Sequence, residues 1–413
     1  MFDLLNTATS SLSIASAAAA AALSIAGYLR YKQYIDQCRI TVITSDSKTS
    51  IILRQTDKEG VVTLHDILHR KCPSLTDAQQ AYMIPTPYLS TGLLQTIYAT
   101  LRIRQRDQSS DIKYERELLV MEDAATVSLD WYPGIDSCQE PGNQPIVMIM
   151  SGVGGSSHEY HIRVVVKALA LSLLHFRVVV VNHRGTARTP ITSATPYDSG
   201  FTEDFRTTVA HVRERHPCSK LIAIGFSMGA NILTKYIGEE GTSCVLSCAV
   251  TICCPFDIAI SGAALNENNM LNNYVFQPAV MGALMRAIKR AGHLCLNPAL
   301  GLDQERIRNA KRLWELEEEF MVKIRGYRDL EEYYVRSSSA NFVDNIDVPF
   351  LAINSLDDRI TPPQGIPVEK FRRNPNIALA LVPHGGHLGF LTGVPPRIWF
   401  VKPIVEFISA VVS

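Results

Sequence analysis

A serine flanked by glycines is the first feature of the chain that could do chemistry. Ser227 lies in the stretch LIAIGFSMGANIL, where an apolar run precedes it and a helical pattern follows it. Gly225 and Gly229 allow a tight strand-to-helix turn that exposes the serine oxygen above a sheet, and the helix N-terminus favours a developing oxyanion there. A short G-x-S-x-G pattern also arises by chance in ordinary turns, but this context predicts that Ser227 is a nucleophile.

A serine hydroxyl attacks at neutral pH only with a general base, and that base needs a group to orient it. The stretch HGGHLGF offers His384 and His387 as bases, and INSLDDRITP offers Asp357 and Asp358 as acids. We favour His387 because the two glycines before it allow a tight loop at the sheet edge. We favour Asp358 because it lies four residues before a proline, a spacing common in acid loops of this kind. His384 stays an alternative base, and Asp357 is expected to cap or brace the turn.

Two backbone N–H groups must stabilise the oxyanion that forms when the serine attacks a carbonyl carbon. The residue after the nucleophile, Met228, supplies one, and the loop SGVGGSSHEY supplies the other, for which we choose Val153. A phosphate-binding loop is the alternative for this stretch, but it has neither the G-x-G-x-x-G pattern nor a following G-K-[ST]. The sequence therefore predicts no nucleotide cofactor.

Short apolar runs alternate with helical patterns from residue 145 onward, which is typical of a parallel sheet covered by helices on both faces. The predicted class is α/β, with right-handed crossovers. Ahead of these runs, ERELLVMEDAATVSLDWYP predicts an antiparallel hairpin that turns at Asp123 and Ala124. Residues 256–345 interrupt the alternation with a mostly helical insertion, placed where a lid would sit. The six runs are 145–152, 175–185, 219–227, 248–255, 349–358 and 377–387.

The N-terminus differs in composition from the rest of the chain. No charged residue occurs over residues 4–29, and basic residues follow directly. A helix of this length spans a bilayer core, so we expect residues 1–32 to be a single-pass membrane anchor with a cytosol-facing body on its basic side. A cleaved or merely interfacial segment is the alternative, although Asp3 and the lack of a basic start disfavour a signal peptide. Residues 33–113 are then an N-terminal extension and residues 114–413 the main folded domain.

Composition argues against several classes of partner. Lys+Arg and Asp+Glu each number 40, so no net charge draws the chain to nucleic acid. Nine cysteines without a C-x-x-C pair argue against a disulfide framework and against a structural zinc site. We therefore expect no nucleic-acid partner, no metal and no cofactor.

Motifs outside the serine, acid and histidine stretches point to one family. They include CPSL, YMIPTPYLSTGLLQT, VNHRG, TEDF and CCPFD. With these, the chain resembles the membrane-associated α/β-hydrolase-domain family of fungal medium-chain fatty acid ethyl ester synthase/esterases and animal monoacylglycerol and medium-chain phospholipid lipases. The resemblance covers about residues 68–400. It implies an α/β-hydrolase fold, a mostly parallel sheet flanked by helices with a helical lid insertion, and a catalytic triad of Ser227, Asp358 and His387.

The chain departs from the family pattern in two places. Ser151 stands before the glycine-rich loop where the family usually has a histidine. In addition, no histidine has an aspartate five residues later, as the H-x-x-x-x-D box of some relatives requires. Any acyl transfer to an alcohol would therefore run through an acyl-enzyme on Ser227.

The resemblance and the triad together imply two-step acyl transfer. We expect a serine ester hydrolase of medium-chain acyl esters, such as monoacylglycerols or fatty acid ethyl esters, that acts at a membrane. Two other functions stay open: an alcohol O-acyltransferase or thioesterase that takes acyl-CoA, and a catalytically silent anchored binding protein. Apolar side chains of the insertion suit a fatty acyl chain, with ordinary lid packing as the alternative; they are Met270, Phe276, Met281 and Met285.

Overall fold

The computed structural model describes residues 24–45, 62–104, 112–135, 144–292 and 301–413. Most of the predicted anchor lies outside these ranges, and residues 24–37 form a helix (α1) with mostly exposed side chains. Within the described ranges, no helix is both long and apolar enough to cross a membrane.

A nine-stranded sheet forms the centre of the molecule, with strand order β1-β9-β8-β7-β6-β4-β5-β3-β2. Its strands are β1 Thr41–Thr44, β2 Glu115–Val120, β3 Thr126–Tyr132, β4 Ile146–Met150, β5 Arg177–Asn182, β6 Leu221–Phe226, β7 Cys248–Ile252, β8 Phe350–Ser355 and β9 Ile377–Val382. Strands β4 to β9 are parallel to one another, whereas β1, β2 and β3 pair antiparallel. A separate ribbon pairs β10 Leu391–Thr392 with β11 Arg397–Ile398.

All six apolar runs predicted as parallel strands are strands of this sheet, which confirms the α/β class. The predicted hairpin is β2–β3, and Ala124 at its turn has a positive φ of 62°. The parallel strands are buried on both faces, so their apolar runs are continuous. Along β4, Val147 and Ile149 pack on one face of the sheet, and Met148 and Met150 pack on the other.

Helices cover both faces of the sheet. They are α2 Leu64–Lys71, α3 Pro73–Thr76, α4 Gly92–Arg104, α5 Tyr160–Ala170, α6 Glu203–Arg215, α7 Met228–Glu240, α14 Val368–Arg373 and α15 Val401–Val412, and the remaining helices lie in the insertion between β7 and β8. Helices α2, α5 and α15 contribute to the core on the Val147 face, and α6, α7 and α14 contribute on the Met148 face.

The predicted insertion is helical and has an apolar core of its own. It contains α8 Ile258–Asn266, α9 Gln277–Ala291, α10 Gln304–Asn309, α11 Leu313–Leu316, α12 Lys323–Arg325 and α13 Leu330–Ser337, with π-helical turns at Asn272–Phe276 and Glu317–Val322. Phe276 and Met281 are buried in this core, and Met285 packs at its edge. Met270 is 77% exposed. Of the four side chains considered for an acyl chain, two are therefore ordinary lid core and one faces solvent.

The N-terminal extension is packed into the same body as the sheet. Strand β1 pairs with β9 along the edge of the sheet. Leu64 and Leu68 of α2 are buried in the same cluster as Ile404 and Phe407 of α15. Strand β1 thus forms one edge of the sheet, and α2 packs with α15, the last helix of the chain.

Candidate active site

Ser227 lies in the turn between β6 and α7. Its backbone has φ 52° and ψ −119°, a conformation that a non-glycine residue keeps only when its surroundings impose it. The Ser227 N–H donates to the Ile252 carbonyl at 2.9 Å, and the Ser227 carbonyl accepts the Ala230 N–H at 2.9 Å. A Cβ on Gly225 would lie 2.5 Å from the Gly229 carbonyl oxygen, so glycine is required for the turn to close. The turn leaves the serine oxygen at the C-terminal edge of the sheet.

The structure brings Ser227, His387 and Asp358 into one hydrogen-bonded chain. His387 Nε2 lies 2.8 Å from Ser227 Oγ, and His387 Nδ1 lies 2.8 Å from Asp358 Oδ2. Asp358 follows β8 and His387 follows β9, so the parallel strands deliver all three side chains to the same edge of the sheet. Because both distances are those of hydrogen bonds, the imidazole can accept the serine proton while the carboxylate orients it.

Asp358 is fully buried, and both of its carboxylate oxygens have hydrogen-bond donors. Oδ1 accepts the N–H groups of Ile360 and Thr361 at 2.8 and 3.0 Å, and Oδ2 accepts the Thr361 hydroxyl at 2.7 Å. Burial alone would raise the pKa of Asp358, but the charge of His387 and the hydrogen bonds from His387 and Thr361 lower it overall. The carboxylate is therefore ionised at neutral pH and holds the imidazole in the tautomer protonated at Nδ1.

The neighbouring Asp357 has its hydrogen bonds with the surrounding loops and not with the His387 imidazole. Its carboxylate accepts the N–H groups of Gly92 and Gly386 at 2.7 and 2.9 Å, and the Ser355 hydroxyl at 2.7 Å. The alternative base, His384, lies with Nδ1 3.5 Å from Asp357 Oδ2. Of the two acids and two histidines considered, Asp358 and His387 therefore form the hydrogen-bonded chain with Ser227.

Helix α4 holds the histidine loop through contacts that the catalytic motifs did not predict. Thr96 Oγ accepts the His387 N–H at 2.8 Å and donates to the Gly92 carbonyl at 2.8 Å. Gln95 Oε1 accepts the Leu391 N–H at 2.6 Å. Threonine and glutamine in a helix carry no catalytic signature, so the one available signal was that the stretch PYLSTGLLQT matches a family motif.

The two predicted oxyanion donors belong to loops that meet at the nucleophile. A Cβ on Gly152 would lie 3.1 Å from the Ser227 Cβ, so the loop that carries Val153 is packed against the serine. In the part of the chain that the structure describes, neither the Val153 N–H nor the Met228 N–H has a hydrogen-bond partner. Met228 is the first residue of α7, where the helix dipole favours negative charge. Two free N–H groups beside the nucleophile can hold a tetrahedral oxyanion.

Ser151, the departure from the family pattern, begins a loop that other side chains brace. His183 Nε2 lies 3.1 Å from the Ser151 carbonyl oxygen, and burial lowers the pKa of His183, so the neutral ring donates to this carbonyl. The Gly154 N–H donates to the Tyr197 hydroxyl at 3.0 Å, and Tyr197 stacks on His183 with ring centroids 5.0 Å apart. The glycine-rich loop is therefore held by His183 and Tyr197, although Ser151 stands where the family usually has a histidine.

Comparison with known proteins assigns this chain to a family. A family model described as alpha/beta hydrolase fold matches residues 145–394, which is more than half of the chain. The chain belongs to this α/β-hydrolase family. The resemblance inferred from the motifs is thereby confirmed, and so is the α/β-hydrolase fold.

Relatives of this hydrolase are similar over most of its length. Phospholipase ABHD3 of Mus musculus is 30% identical over 314 residues, which cover 73% of each chain. Monoacylglycerol lipase ABHD2 of Danio rerio is 31% identical and matches 84% of this chain and 81% of its own. Medium-chain fatty acid ethyl ester synthase/esterase 2 of Saccharomyces cerevisiae is 29% identical, with 87% of this chain and 92% of its own matched. These relatives are named as lipases and esterases.

A buried thiol of this hydrolase contacts the loop that carries His387. Cys253 Sγ lies 3.6 Å from the Gly386 carbonyl oxygen and accepts the Leu388 N–H at 3.4 Å, so it contacts the residues on both sides of the histidine. Its φ of 52° is uncommon for a non-glycine residue and marks a constrained position. Burial and the Asp358 carboxylate raise the pKa of the Cys253 thiol well above its usual value, so the thiol stays protonated and donates to the Gly386 carbonyl.

Cys253, Asp358 and His387 also offer ligand atoms within 4.8 Å of one another, a spacing that a metal ion could use. A protonated thiol is a poor ligand, because metals bind the thiolate. Asp358 Oδ2 and His387 Nδ1 are, in addition, bonded directly to each other. The hydrogen-bonded triad is therefore the better interpretation of this cluster.

We expect Cys253→Ala to lower kcat about five- to tenfold, since losing a hydrogen bond of about 1 kcal/mol would loosen the loop that carries His387. Cys254→Ala is the matched control, because Cys254 is equally buried but contacts Thr234 and Ser339. The melting temperature measures the loss of core packing in each variant, and kcat on a soluble ester measures the effect on the loop that carries His387. Both variants should melt at a lower temperature, and an equal fall of kcat in both would contradict a role at the histidine loop.

Two titratable groups, the largely buried Glu159 and the buried His161, lie next to the glycine-rich loop that carries Val153. A Cβ on Gly155 would lie 2.9 Å from the Glu159 carboxylate oxygens, and His161 Nε2 lies 3.5 Å from Glu159 Oε2. Burial raises the pKa of Glu159 to about 8, and burial together with the charge of His387 lowers the pKa of His161 to about 3. At neutral pH both groups are therefore uncharged, and the pair is not a salt bridge.

Glu159→Gln should stabilise the protein more at pH 8 than at pH 5. Between about pH 4.5 and 8 the unfolded chain releases a proton that the folded chain retains, so the free energy of unfolding falls as pH rises. Glutamine removes this dependence, and the expected gain at pH 8 is about 2–4 kcal/mol. Urea unfolding at both pH values measures the gain, with the exposed Glu122→Gln as control. A gain of equal size at the two pH values would contradict a raised pKa of Glu159.

Proposed function

We propose that this protein is a serine ester hydrolase that cleaves medium-chain acyl esters, such as monoacylglycerols or fatty acid ethyl esters. The observation that carries the proposal is the continuous chain from Ser227 Oγ through His387 to Asp358, with 2.8 Å at each link. The free N–H groups of Val153 and Met228 beside this chain supply the second requirement of acyl transfer.

In the first half of the reaction, Ser227 Oγ attacks the ester carbonyl carbon while His387 Nε2 takes the serine proton. The carbonyl oxygen becomes an oxyanion, which the N–H groups of Val153 and Met228 stabilise. The tetrahedral intermediate then collapses, and His387 gives its proton to the leaving alcohol oxygen. Asp358 accepts the Nδ1–H throughout and stabilises the imidazolium. The product of this half is an ester between the acyl group and Ser227.

In the second half, water replaces the leaving alcohol. His387 Nε2 removes a proton from the water as its oxygen attacks the acyl-enzyme carbonyl, and the same N–H groups stabilise the second oxyanion. Collapse of this intermediate returns the proton to Ser227 Oγ and releases the free acid. The fixed imidazole tautomer allows one side chain to act as base and then as acid in both halves.

The names of the relatives support the substrate class. The chain is similar to a monoacylglycerol lipase, a phospholipase and a medium-chain fatty acid ethyl ester synthase/esterase. Each name refers to an acyl ester or a phospholipid. A lipid ester is therefore the substrate class that we propose for this site.

Transfer of the acyl group to an alcohol is a second candidate function, favoured by the name of the yeast relative. An alcohol can attack the acyl-enzyme in place of water, with the same base and the same oxyanion donors, and acyl-CoA can serve as the donor of the acyl group. Incubation of octanoyl-CoA with ethanol distinguishes the two functions. Ethyl octanoate formed faster than free octanoate would favour the transferase, and the reverse order favours the hydrolase.

A fluorophosphonate probe tests the nucleophile directly, because it reacts covalently with activated serines. We expect the wild-type protein to be labelled and Ser227→Ala to lose both labelling and hydrolysis of p-nitrophenyl octanoate. Equal labelling of Ser227→Ala, or no labelling of the wild type, would refute the serine hydrolase proposal. The second of these outcomes would favour a silent binding protein.

A further inference from the structure

The turn 152–155, which carries the Val153 N–H, has a carboxyl group packed beside it. The Gly155 N–H donates to the Gly152 carbonyl at 3.0 Å and closes the turn. A Cβ on Gly155 would lie 2.9 Å from each of the two Glu159 carboxyl oxygens. Glu159 is the residue directly before helix α5, and its side chain is only 15% exposed. Its carboxyl group therefore lies against the backbone of the turn and is mostly shielded from water.

The same turn also contacts the nucleophile. A Cβ on Gly152 would lie 3.1 Å from the Ser227 Cβ and 3.5 Å from Ser227 Oγ. A carboxylate at Glu159 would place a negative charge close to the oxyanion that forms here, and the two like charges would repel each other. It would also compete for the N–H groups of the turn, because a charged acceptor binds N–H donors more strongly than a neutral one. A neutral carboxylic acid has neither effect.

His161 gives the Glu159 carboxyl group a partner that suits its neutral form. His161 Nε2 lies 3.5 Å from Glu159 Oε2, is buried, and has no hydrogen-bond partner among the described residues. A protonated carboxyl group has an O–H to donate, and the unprotonated nitrogen of a neutral imidazole accepts it. The His161 ring packs edge-on against Phe226, the residue before the nucleophile, with ring centroids 5.0 Å apart. The acid and the imidazole thus lie side by side next to Ser227.

The titratable groups around Glu159 are His161 and Arg163 of α5, Tyr197 of the segment before α6, and His387 of the loop after β9. Burial and the charge of His387 lower the pKa of His161 to about 3, and burial raises the pKa of Tyr197 to about 12. Both side chains are therefore uncharged from pH 7 to 9.5. Burial raises the pKa of Glu159 to about 8, so this group ionises within the same range.

We propose that Glu159 is a positioning residue for the oxyanion hole, which supports the turn 152–155 as a neutral acid paired with His161 and disables it as a carboxylate. The proposal rests on the proposed function, because an oxyanion hole has a task only in acyl transfer. It adds to that function an alkaline limit of activity, which arises beside the oxyanion donors and outside the Ser227, His387 and Asp358 triad.

The pH dependence of kcat for p-nitrophenyl octanoate, measured from pH 6.5 to 9.5, tests the proposal. The wild-type kcat should fall with an apparent pKa of about 8, and by about tenfold per pH unit above it, because the neutral fraction of Glu159 falls by that factor. KM should change far less, since the N–H groups of the turn act on the oxyanion of the transition state. Glu159→Gln keeps the shape of the side chain and stays neutral, so its kcat should hold up to pH 9.5.

Two further variants serve as controls. Glu122→Gln makes the same chemical change at an exposed position, and its kcat should fall with pH as that of the wild type does. Glu159→Ala removes the support of the turn, so its kcat at pH 7 should be about tenfold below that of Glu159→Gln. Equal kcat values of Glu159→Ala and Glu159→Gln at pH 7 would overturn the positioning role.

The outcomes separate this proposal from the proposed function. An alkaline fall of kcat in the wild type that is absent from Glu159→Gln supports the role of Glu159. The same fall in Glu159→Gln, or no fall in the wild type, would overturn that role and leave the serine hydrolase intact. Failure of the wild-type protein to cleave the ester at every pH refutes the proposed function itself. Melting temperatures measured at pH 9.5 show that each protein is folded during the assay, so unfolding is not mistaken for ionisation of Glu159.

Discussion

Asp358→Asn should lower kcat by about 10³- to 10⁴-fold on any ester that the wild type cleaves. The amide cannot carry the negative charge that stabilises the imidazolium, and it favours the wrong tautomer of His387. Asp358 is also fully buried with hydrogen bonds from Ile360 and Thr361, so its backbone geometry should survive the change. Steady-state kinetics of the purified variant measure the loss, and KM should change far less than kcat.

Asp357→Asn is the matched control for this experiment, because it makes the same chemical change one residue away. Asp357 braces Gly92 and Gly386 and does not reach the imidazole, so we expect a lower melting temperature and a fall in kcat of about tenfold or less. A larger loss of kcat in Asp357→Asn than in Asp358→Asn would exchange the roles of the two acids.

Gly386→Ala should lower kcat/KM by about 100-fold or more. Gly386 has a φ of 55°, and an added Cβ would lie 2.1 Å from the Gly92 carbonyl oxygen and 2.5 Å from Thr96 Oγ. The loop must move away from α4 to accept the methyl group, which breaks the bond from the His387 N–H to Thr96. A displacement of about 1 Å at a catalytic group costs about 100-fold in rate.

Gly326→Ala is the matched control for Gly386→Ala, because it adds similar backbone strain without a steric clash. Gly326 has a φ of 70°, but nothing lies within 4 Å of the position that a Cβ would take. We therefore expect it to lose about 1 kcal/mol of stability and to keep its activity. If Gly386→Ala and Gly326→Ala lost activity equally, backbone strain alone would explain the loss. The clash between the new methyl group at residue 386 and α4 would then not be needed to explain it.

Much of the geometry of the candidate site can be predicted from the sequence, because the ends of parallel strands meet at one edge of a sheet. Parallel strands end at one edge of the sheet, so the residues that follow β6, β8 and β9 share that edge, with only β7 between β6 and β8. The choice of Asp358 over Asp357 rested on one spacing. The structure adds the physical reason, since Asp357 is occupied by the N–H groups of Gly92 and Gly386.

The supporting contacts were not predictable from local patterns. Thr96 and His387 are 291 positions apart, and nothing in the periodicity of α4 indicates that its hydroxyl accepts a backbone N–H of a distant loop. The four residues of β1 are too few to give a strand pattern, yet they pair with β9. Cys253 appears in the sequence as one of nine scattered thiols, and only the folded chain shows that it lies beneath the histidine loop.

The apolar lid side chains show the limit of reading burial from residue type. By residue type, Phe276 and Met281 suit a substrate pocket and an apolar core equally well, and the structure places both in the core of the insertion. Met270 is exposed instead.

The contact between α4 and the loop that carries His387 joins two segments that are synthesised at different times. Residues 92–104 leave the ribosome long before residue 387. Helix α4 is therefore synthesised well before the His387 N–H that donates to its Thr96 side chain. A nascent chain that has already formed the Ser227 turn still lacks both the acid and the base. Ser227 therefore lacks both of these side chains until almost the whole polypeptide has been translated.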